Sequence, residues 1–202
     1  MGNESAYNPL DKVNLGRSVV ETLLQSEEVA LGAAKVFPGA GIYAIYYRGD
    51  FEPYSKLAAI NKDSGILPIY VGRAIPKGGR KGVSKTALSS TRALSLRVEE
   101  HARSIRSVDS LDIESFTCRS LVVDDIWIPL GESLVIDQFK PLWNVCLDGF
   151  GNHDPGGGRY LGKRAPWDEV HPGRAWAMKC QAVKVGRDAL LHLIEGYMGT
   201  LS

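Results

Sequence analysis

Arg97 and His101 stand four positions apart in the stretch TRALSLRVEEHARSI, whose apolar residues recur at helical spacing. Side chains four positions apart lie one turn above each other on the same face of a helix, so both can reach the same small group. The planar guanidinium of an arginine donates to two phosphate oxygens at once and stays charged, and a histidine, with an ordinary pKa of about 6.5, exchanges protons near neutral pH. This pair predicts chemistry on a phosphate group.

Three further residues suit the same chemistry: Tyr43, Tyr70 and Glu132. Cleavage of a phosphodiester needs a nucleophilic water, neutralisation of the charge that gathers on the phosphorus, and help for the departing oxygen. Glu132 is the only carboxylate of the set, and one carboxylate with waters and phosphate oxygens is the usual way in which proteins hold Mg²⁺. We expect one Mg²⁺ ion at Glu132, for which Mn²⁺ could substitute.

The identity of the proton acceptor stays open between two residues. A free tyrosine has a pKa near 10, and lowering it by two to three units takes about 3 to 4 kcal/mol, which a nearby cation could supply. Tyr43 would then be the general base. His101 is the competing base, or the group that orients Tyr43 or relays its proton. Tyr70 is expected to hydrogen-bond the phosphate or the attacking water.

The elements that must position these residues predict one α+β domain over residues 1–202, with a small three-stranded antiparallel sheet flanked by helices. We expect an N-terminal helical cover over residues 1–38, a catalytic core over 39–145 and a loop-rich extension over 146–202. The patterns predict strands over 41–47, 68–74 and 113–123, a flexible basic loop over 75–90, and helices over 15–30, 91–105, 132–140 and 187–198. The first helix is expected to be capped by Asn14 and the third to open at Glu132 and stop before Pro141. Gly41 and Gly72 are expected to let backbone and DNA approach closely.

The composition is that of an ordinary soluble protein, and it excludes several functions. Apolar residues make up 44% of the chain and no run approaches a membrane span, so no membrane association is expected. Three scattered cysteines argue against a disulfide framework or a zinc site, and no targeting segment is visible, so a cytoplasmic location is expected. The basic loop lacks the ending of a nucleotide-binding loop, so no nucleotide cofactor is expected.

The charge distribution favours a polyanionic partner. The whole chain carries only +1, but residues 73–106 hold nine Lys or Arg against two Glu. One face of the protein should therefore suit a nucleic acid. The candidates for DNA contact, chosen by residue type, are Arg73, Lys77, Arg80, Lys81, Lys85, Arg159, Lys163, Arg164 and Arg174.

Taken one at a time, the residues proposed for chemistry on a phosphate have simpler structural explanations. Tyrosines are good strand formers, an arginine and a histidine on a helix are commonly a solvated face, and a glutamate near a helix start is favoured by the helix dipole. On its own, Asn144 is explained as the cap of a turn after Pro141. What argues against these explanations is that the residues occur together and in one order.

That order resembles the GIY-YIG nuclease family. The matching segments are GIY at 41–43, YVG at 70–72, Arg97 with His101, and Glu132 before KPLWN, which ends at Asn144. The extension, with GNHDPGGGRY and WDEVHPGR, is similar to that of type II restriction endonucleases with this core. The resemblance implies Tyr43 as the base, Asn144 as a brace of the site, and five side chains converging on one scissile phosphate.

It also implies a function: cleavage of double-stranded DNA at a short palindromic site, leaving 5′-phosphate and 3′-hydroxyl ends. A two-fold homodimer on DNA would match such a site. Two alternatives stay open, a GIY-YIG nuclease of repair or of a mobile element, and a non-catalytic DNA-binding module.

Overall fold

The centre of the protein is a four-stranded antiparallel sheet in a computed structural model that describes residues 8, 11–33, 36–76 and 91–201. Along the chain its strands are β1 (Val29–Ala30), β2 (Gly41–Tyr47), β3 (Tyr70–Ala74) and β4 (Phe116–Val122). Their spatial order is β1-β4-β2-β3, so β2 is internal and β3 is an edge strand. The α+β class is confirmed, but the expected count of three strands was one short. The two residues of β1 are too few to show a periodic pattern.

Seven α-helices surround the sheet within the described part of the chain. They are α1 (Lys12–Gln25), α2 (Ser55–Ile60), α3 (Ala93–Arg106), α4 (Ile128–Phe139), α5 (Leu142–Val145), α6 (Pro166–Val170) and α7 (Arg187–Thr200). Short 3₁₀ turns cover Leu31–Ala33, Glu52–Tyr54, Ile113–Ser115, Asp125–Trp127, Gly157–Arg159 and Ala177–Lys179. None of these helices is long and apolar enough to cross a membrane.

Two helix starts differ from the sequence prediction. Helix α1 is capped by Asp11, whose carboxylate accepts from the Val13 N–H at 2.8 Å, whereas the expected cap, Asn14, lies inside the helix and donates to the carbonyl of Asn8. Helix α4 starts at Ile128, since a proline in the first turn has its φ already set for a helix. Glu132 therefore lies in the second turn of α4 and does not open it.

The alternation of β2 divides the core into two layers. Tyr43, Ile45 and Tyr47 face the cluster that contains the apolar side of α3. Ile42, Ala44 and Tyr46 face α1 and α4 on the other side of the sheet. Because β2 is internal and covered on both faces, all seven of its residues are buried. The tyrosines of this strand therefore point alternately into different layers.

Tyr46 carries a buried hydroxyl that has no hydrogen-bond partner among the described residues. Replacing Tyr46 with Phe is expected to leave the free energy of unfolding unchanged or to raise it by up to about 1 kcal/mol, because the desolvation of the hydroxyl is no longer needed. Urea unfolding measures the effect. As the control, Tyr54→Phe is expected to destabilise by about 1 to 3 kcal/mol. A loss above about 1 kcal/mol for Tyr46→Phe would contradict the prediction.

The C-terminal extension packs into the same core as the sheet. Seven of its side chains belong to the apolar cluster on the α3 face: Leu147, Phe150, Trp167, Val170, Leu190, Ile194 and Met198. A buried polar chain adds to this contact. The Tyr54 hydroxyl lies 2.6 Å from Nε2 of His171, whose Nδ1 lies 2.7 Å from Oγ of Ser110, and Trp143 donates to the same Tyr54 hydroxyl. The extension is thus fixed to the core by apolar and polar contacts.

His171 makes the stability of the protein dependent on pH. Burial lowers the pKa of His171 from its ordinary 6.5 to about 3. Between these two values the unfolded chain binds a proton that the folded chain does not bind. The free energy of unfolding should therefore fall as the pH decreases through this window, by up to about 1.4 kcal/mol per pH unit from this residue.

Thermal unfolding of the wild type and of His171→Gln across this pH range measures the effect. The variant should be less stable at pH 7 but should lose stability less steeply below pH 6.5. Parallel stability curves for the two proteins would show that His171 does not titrate as expected.

Candidate active site

Tyr43, Tyr70 and His101 meet at the edge of the sheet that β3 forms. In the β2–β3 register Tyr43 lies opposite Gly72, which places the GIY and YVG segments side by side. The Tyr43 hydroxyl lies 2.6 Å from Nε2 of His101 on α3, and both side chains are buried. The ring centroids of Tyr70 and His101 are 5.1 Å apart. Phe150 of the extension stacks on the imidazole with a centroid distance of 4.5 Å.

Burial sets the protonation of the tyrosine and the histidine. It raises the pKa of Tyr43 well above its usual value of 10, with a further increase from the charges of Tyr70 and Glu132. It lowers the pKa of His101 well below 6.5, and the positive charge of Arg97 acts in the same direction. At neutral pH the pair is a phenol and a neutral imidazole, so the Tyr43 hydroxyl donates and Nε2 of His101 accepts. A proton on Tyr43 thus has an acceptor 2.6 Å away.

Arg97 is held beside this pair by acceptors from two segments of the chain. Its Nη2 donates to the carbonyl of Gly151 at 2.7 Å, and its Nη1 donates to Glu100 at 2.9 Å and to Nε2 of His153 at 2.5 Å. The positive charge of Arg97 lowers the pKa of both Tyr43 and Tyr70, in opposition to burial. The guanidinium is therefore close enough to interact with both phenols.

Glu132 reaches the site from the opposite face of the sheet. Helix α4 packs on the layer that contains Ile42 and Tyr46, whereas Arg97 and His101 come from α3 on the other layer. Strand β3 is an edge strand, and its Arg73 forms a 2.9 Å ion pair with Glu132. The negative charge of Glu132 raises the pKa of both Tyr43 and Tyr70, and the carboxylate therefore lies within electrostatic reach of the phenols.

The residues present fit a divalent cation that is held by a single carboxylate. Burial raises the pKa of Glu132, while the charges of Arg73 and Arg97 oppose the increase, so an ion bound here would replace Arg73 as the partner of the carboxylate. No group of three or more His, Cys, Asp or Glu residues suited to a metal occurs in the described residues. An ion at Glu132 would thus complete its coordination with water and phosphate oxygens, the arrangement typical of Mg²⁺.

Asn144 binds the backbone of the edge strand. Its Oδ1 accepts from the Val71 N–H and its Nδ2 donates to the Val71 carbonyl, both at 2.8 Å. The neighbouring Trp143 N–H donates to the carbonyl of Ile69 at 2.9 Å. The Asn144 side chain therefore makes the hydrogen bonds that a further strand would make at this edge of the sheet, and it holds β3 and Tyr70 in place.

The glycines of the two strands serve the packing of the site. A Cβ on Gly72 would overlap the ring and hydroxyl of Tyr43, and a Cβ on Gly41 would meet the backbone of β4 at Leu121. The expectation of close backbone approach holds at Gly41. At Gly72, however, the free space is occupied by the Tyr43 side chain, so it is not available to DNA.

The predicted DNA-contacting residues fall into four groups, the last of which is Arg174 alone. Arg73, Arg159 and Lys163 are exposed. Arg164 is half-buried, donates to the Ala177 carbonyl and lies 3.4 Å from Glu169. Lys77, Arg80, Lys81 and Lys85, with most of the expected basic loop, lie outside the described residues.

Arg174 occupies a different place from the one expected. It is buried and forms a bidentate ion pair with Asp168, with both contacts at 2.6 Å. Its remaining donors bind the carbonyls of Gly149, Phe150 and Asn152. Because all these donors are used inside the protein, Arg174 supports the extension and is not free to read bases. Sequence type alone could not separate this arginine from an exposed one.

A cleft of about 350 Å³ adjoins the site, and only part of its lining was predicted from the sequence as functional. It lies between the exposed side of α3 and the extension, and its lining includes Arg97, His101, Phe150, Asn152 and His153. The motif GNHDPGGGRY was recognised as a feature of the extension, but no spacing rule connected its histidine to Arg97, which is 56 positions away.

The fold and this arrangement together define a GIY-YIG nuclease domain. The two motif strands are neighbours in an antiparallel sheet, and Arg97, His101 and Asn144 gather around them. A family model described as the Eco29kI GIY-YIG domain matches residues 35–198. The chain belongs to this restriction endonuclease family. Nucleases of the GIY-YIG type generally use a divalent metal ion, and restriction endonucleases act on DNA. The comparison with curated proteins found no match.

Proposed function

We propose that this protein is a Mg²⁺-dependent, site-specific endonuclease that cuts both strands of DNA at a short palindrome. The observation that carries the proposal is the contact between the Tyr43 hydroxyl and His101, with Arg97 beside it and Glu132 at the same strand edge. A proton donor–acceptor pair, a cation for phosphate and a carboxylate for a metal are the groups that hydrolysis of a phosphodiester requires.

In the proposed reaction Tyr43 takes a proton from the attacking water as its own proton moves to Nε2 of His101. The 2.6 Å separation allows this transfer without movement of either residue. Tyr43 acts as the base toward water and His101 as the final acceptor, so of the roles considered for the histidine this reaction uses the relay of the Tyr43 proton. Burial keeps His101 neutral at neutral pH, but burial and the charge of Arg97 also oppose its protonation, so the relay needs the negative charge of the bound phosphate to offset this cost.

Arg97 binds the scissile phosphate and neutralises the charge that develops on its oxygens. Two of its guanidinium nitrogens already donate to protein acceptors, which fix the plane of the group before DNA arrives. Tyr70, beside the His101 ring, hydrogen-bonds the same phosphate or the attacking water. A guanidinium that is fixed in advance stabilises a transition state without reorganisation during the reaction.

Glu132 would hold the divalent ion, which supplies positive charge to the phosphate and to the leaving 3′ oxygen when it is bound. The products would then carry 5′-phosphate and 3′-hydroxyl ends. Arg73, Arg159 and Lys163 are proposed contacts to the DNA backbone, as are Lys77, Arg80, Lys81 and Lys85 on the evidence of their sequence. One site cuts one strand, so a homodimer whose two-fold axis matches that of the palindrome would cut both.

The test is digestion of a sequenced plasmid with Mg²⁺, followed by sequencing of the termini. Discrete fragments with one sequence at their ends, 5′ phosphates and a shared two-fold symmetry are expected. A preference for branched DNA, or a single long asymmetric site, would instead identify a nuclease of repair or of a mobile element. Binding that falls steeply with salt but no cleavage under any divalent ion would identify a binding module.

A further inference from the structure

His153 contacts the arginine of the site from the extension. Its Nε2 lies 2.5 Å from Nη1 of Arg97, and its Nδ1 lies 3.7 Å from the carboxylate of Glu100. Nδ1 of the same ring lies 3.2 Å from Nη1 of Arg97, so both ring nitrogens are within reach of this guanidinium nitrogen. Arginine only donates hydrogen bonds, so the ring nitrogen that accepts must be unprotonated and the imidazole must be neutral.

His153 is one of three acceptors around the guanidinium of Arg97. Gly151 of the extension accepts from Nη2, whereas His153 of the extension and Glu100, one turn further along α3, both lie at Nη1. The arginine side chain is 18% exposed, whereas that of His153 is 63% exposed. An exposed imidazole contributes little to the apolar core, and His153 instead lies against the charged groups of Arg97 and Glu100.

We infer that His153 is a positioning residue that holds the Arg97 guanidinium in the plane required by the scissile phosphate. This inference rests on the proposed nuclease function. Free arginine side chains sample many rotamers, and an acceptor at Nη1 removes part of that freedom before DNA binds. His153 acts through Arg97 and itself forms no contact with the reacting atoms.

The inference predicts a loss of rate that depends on Arg97. Under single-turnover conditions, His153→Ala should slow cleavage by about tenfold to a hundredfold, because misorientation of a catalytic group has effects of this size. DNA affinity, measured with Ca²⁺ so that no cleavage occurs, should change by less than about threefold. His153→Gln should recover part of the rate, since its amide oxygen can accept from Arg97.

A double-variant cycle separates positioning from other roles. In an Arg97→Ala background, His153→Ala should cause no further loss. The control is His192→Ala, which removes an exposed histidine of α7 and should cut at the wild-type rate. Melting temperatures of all variants show whether they are folded.

Two results would overturn the inference while leaving the nuclease proposal intact. One is an equal loss of rate for His153→Ala in the wild-type and Arg97→Ala backgrounds. The other is a loss that appears entirely in DNA affinity, which would make His153 a direct contact to the DNA backbone. If the wild-type protein cuts no DNA, the proposed function fails first and the positioning role fails with it. Nitrogen chemical shifts of the His153 ring give an independent check, as a neutral imidazole is expected and a doubly protonated ring would exclude the hydrogen bond from Arg97.

Discussion

Replacing Glu132 with glutamine is expected to reduce the single-turnover rate of DNA cleavage in Mg²⁺ by roughly a thousandfold or more. Charge neutralisation by a bound divalent ion is worth several kcal/mol in the transition state, and each 1.36 kcal/mol corresponds to a factor of about ten in rate. Glutamine keeps the size of the side chain but lacks the negative charge that would hold the ion. DNA binding in the absence of a divalent ion should remain within a few fold of the wild type.

The control for Glu132→Gln is Glu21→Gln, which removes a carboxylate from the exposed side of α1. It should cut at the wild-type rate, so a general effect of net charge can be separated from the effect at the site. A titration with Mn²⁺ tests whether another ion restores the variant. If Glu132→Gln retains its activity in Mg²⁺, the ion is not held by this carboxylate, and its ion pair with Arg73 is then only structural.

Replacing Tyr43 with phenylalanine is expected to lower the cleavage rate by roughly a hundredfold to ten-thousandfold, the usual contribution of a positioned general base. The substitution removes the hydroxyl that donates to His101 and leaves the two aromatic rings in place. DNA affinity should be nearly unchanged. The buried Nε2 of His101 would lose its partner, so a loss of stability of about 1 to 3 kcal/mol is also expected, and the assay must be run well below the melting temperature.

Tyr46→Phe is the matched control for Tyr43→Phe. It removes a buried hydroxyl from the same strand, but this hydroxyl lies in the layer that faces α1 and α4. Normal cleavage by Tyr46→Phe with slow cleavage by Tyr43→Phe would place the effect at the proton relay. Full activity of Tyr43→Phe would transfer the base role to another group, with His101 the first to be tested by His101→Gln.

The sequence alone was sufficient to predict three of the four strands and four of the seven helices of the described residues, together with the residues proposed for chemistry on a phosphate. Periodicity is a local property, so the strand at 41–47 and the helix that carries Arg97 and His101 follow from residues close in the chain. The boundary of α4 was wrong because a proline in the first turn starts that helix four residues before Glu132. The short strand Val29–Ala30 could not be predicted, since two residues carry no pattern.

The spatial relations were determined by the tertiary structure. Glu132 approaches from the layer opposite α3 and forms an ion pair with Arg73 on β3, which is an edge strand. The space beside Gly72 is filled by the Tyr43 side chain, and Arg174 forms an ion pair with Asp168 inside the extension. Residue types cannot distinguish these outcomes, because an arginine that binds a buried carboxylate and one that faces DNA look identical in sequence.

The sequence by itself thus determined which side chains are candidates for chemistry on a phosphate, because motif order and helical spacing are properties of the sequence. Only the folded structure decided how they meet. The contacts of Tyr43 with His101 and of Arg97 with His153 join residues 58 and 56 positions apart. Residues so far apart in sequence are brought together by the packing of the whole core, because local propensities act only between residues close in the chain.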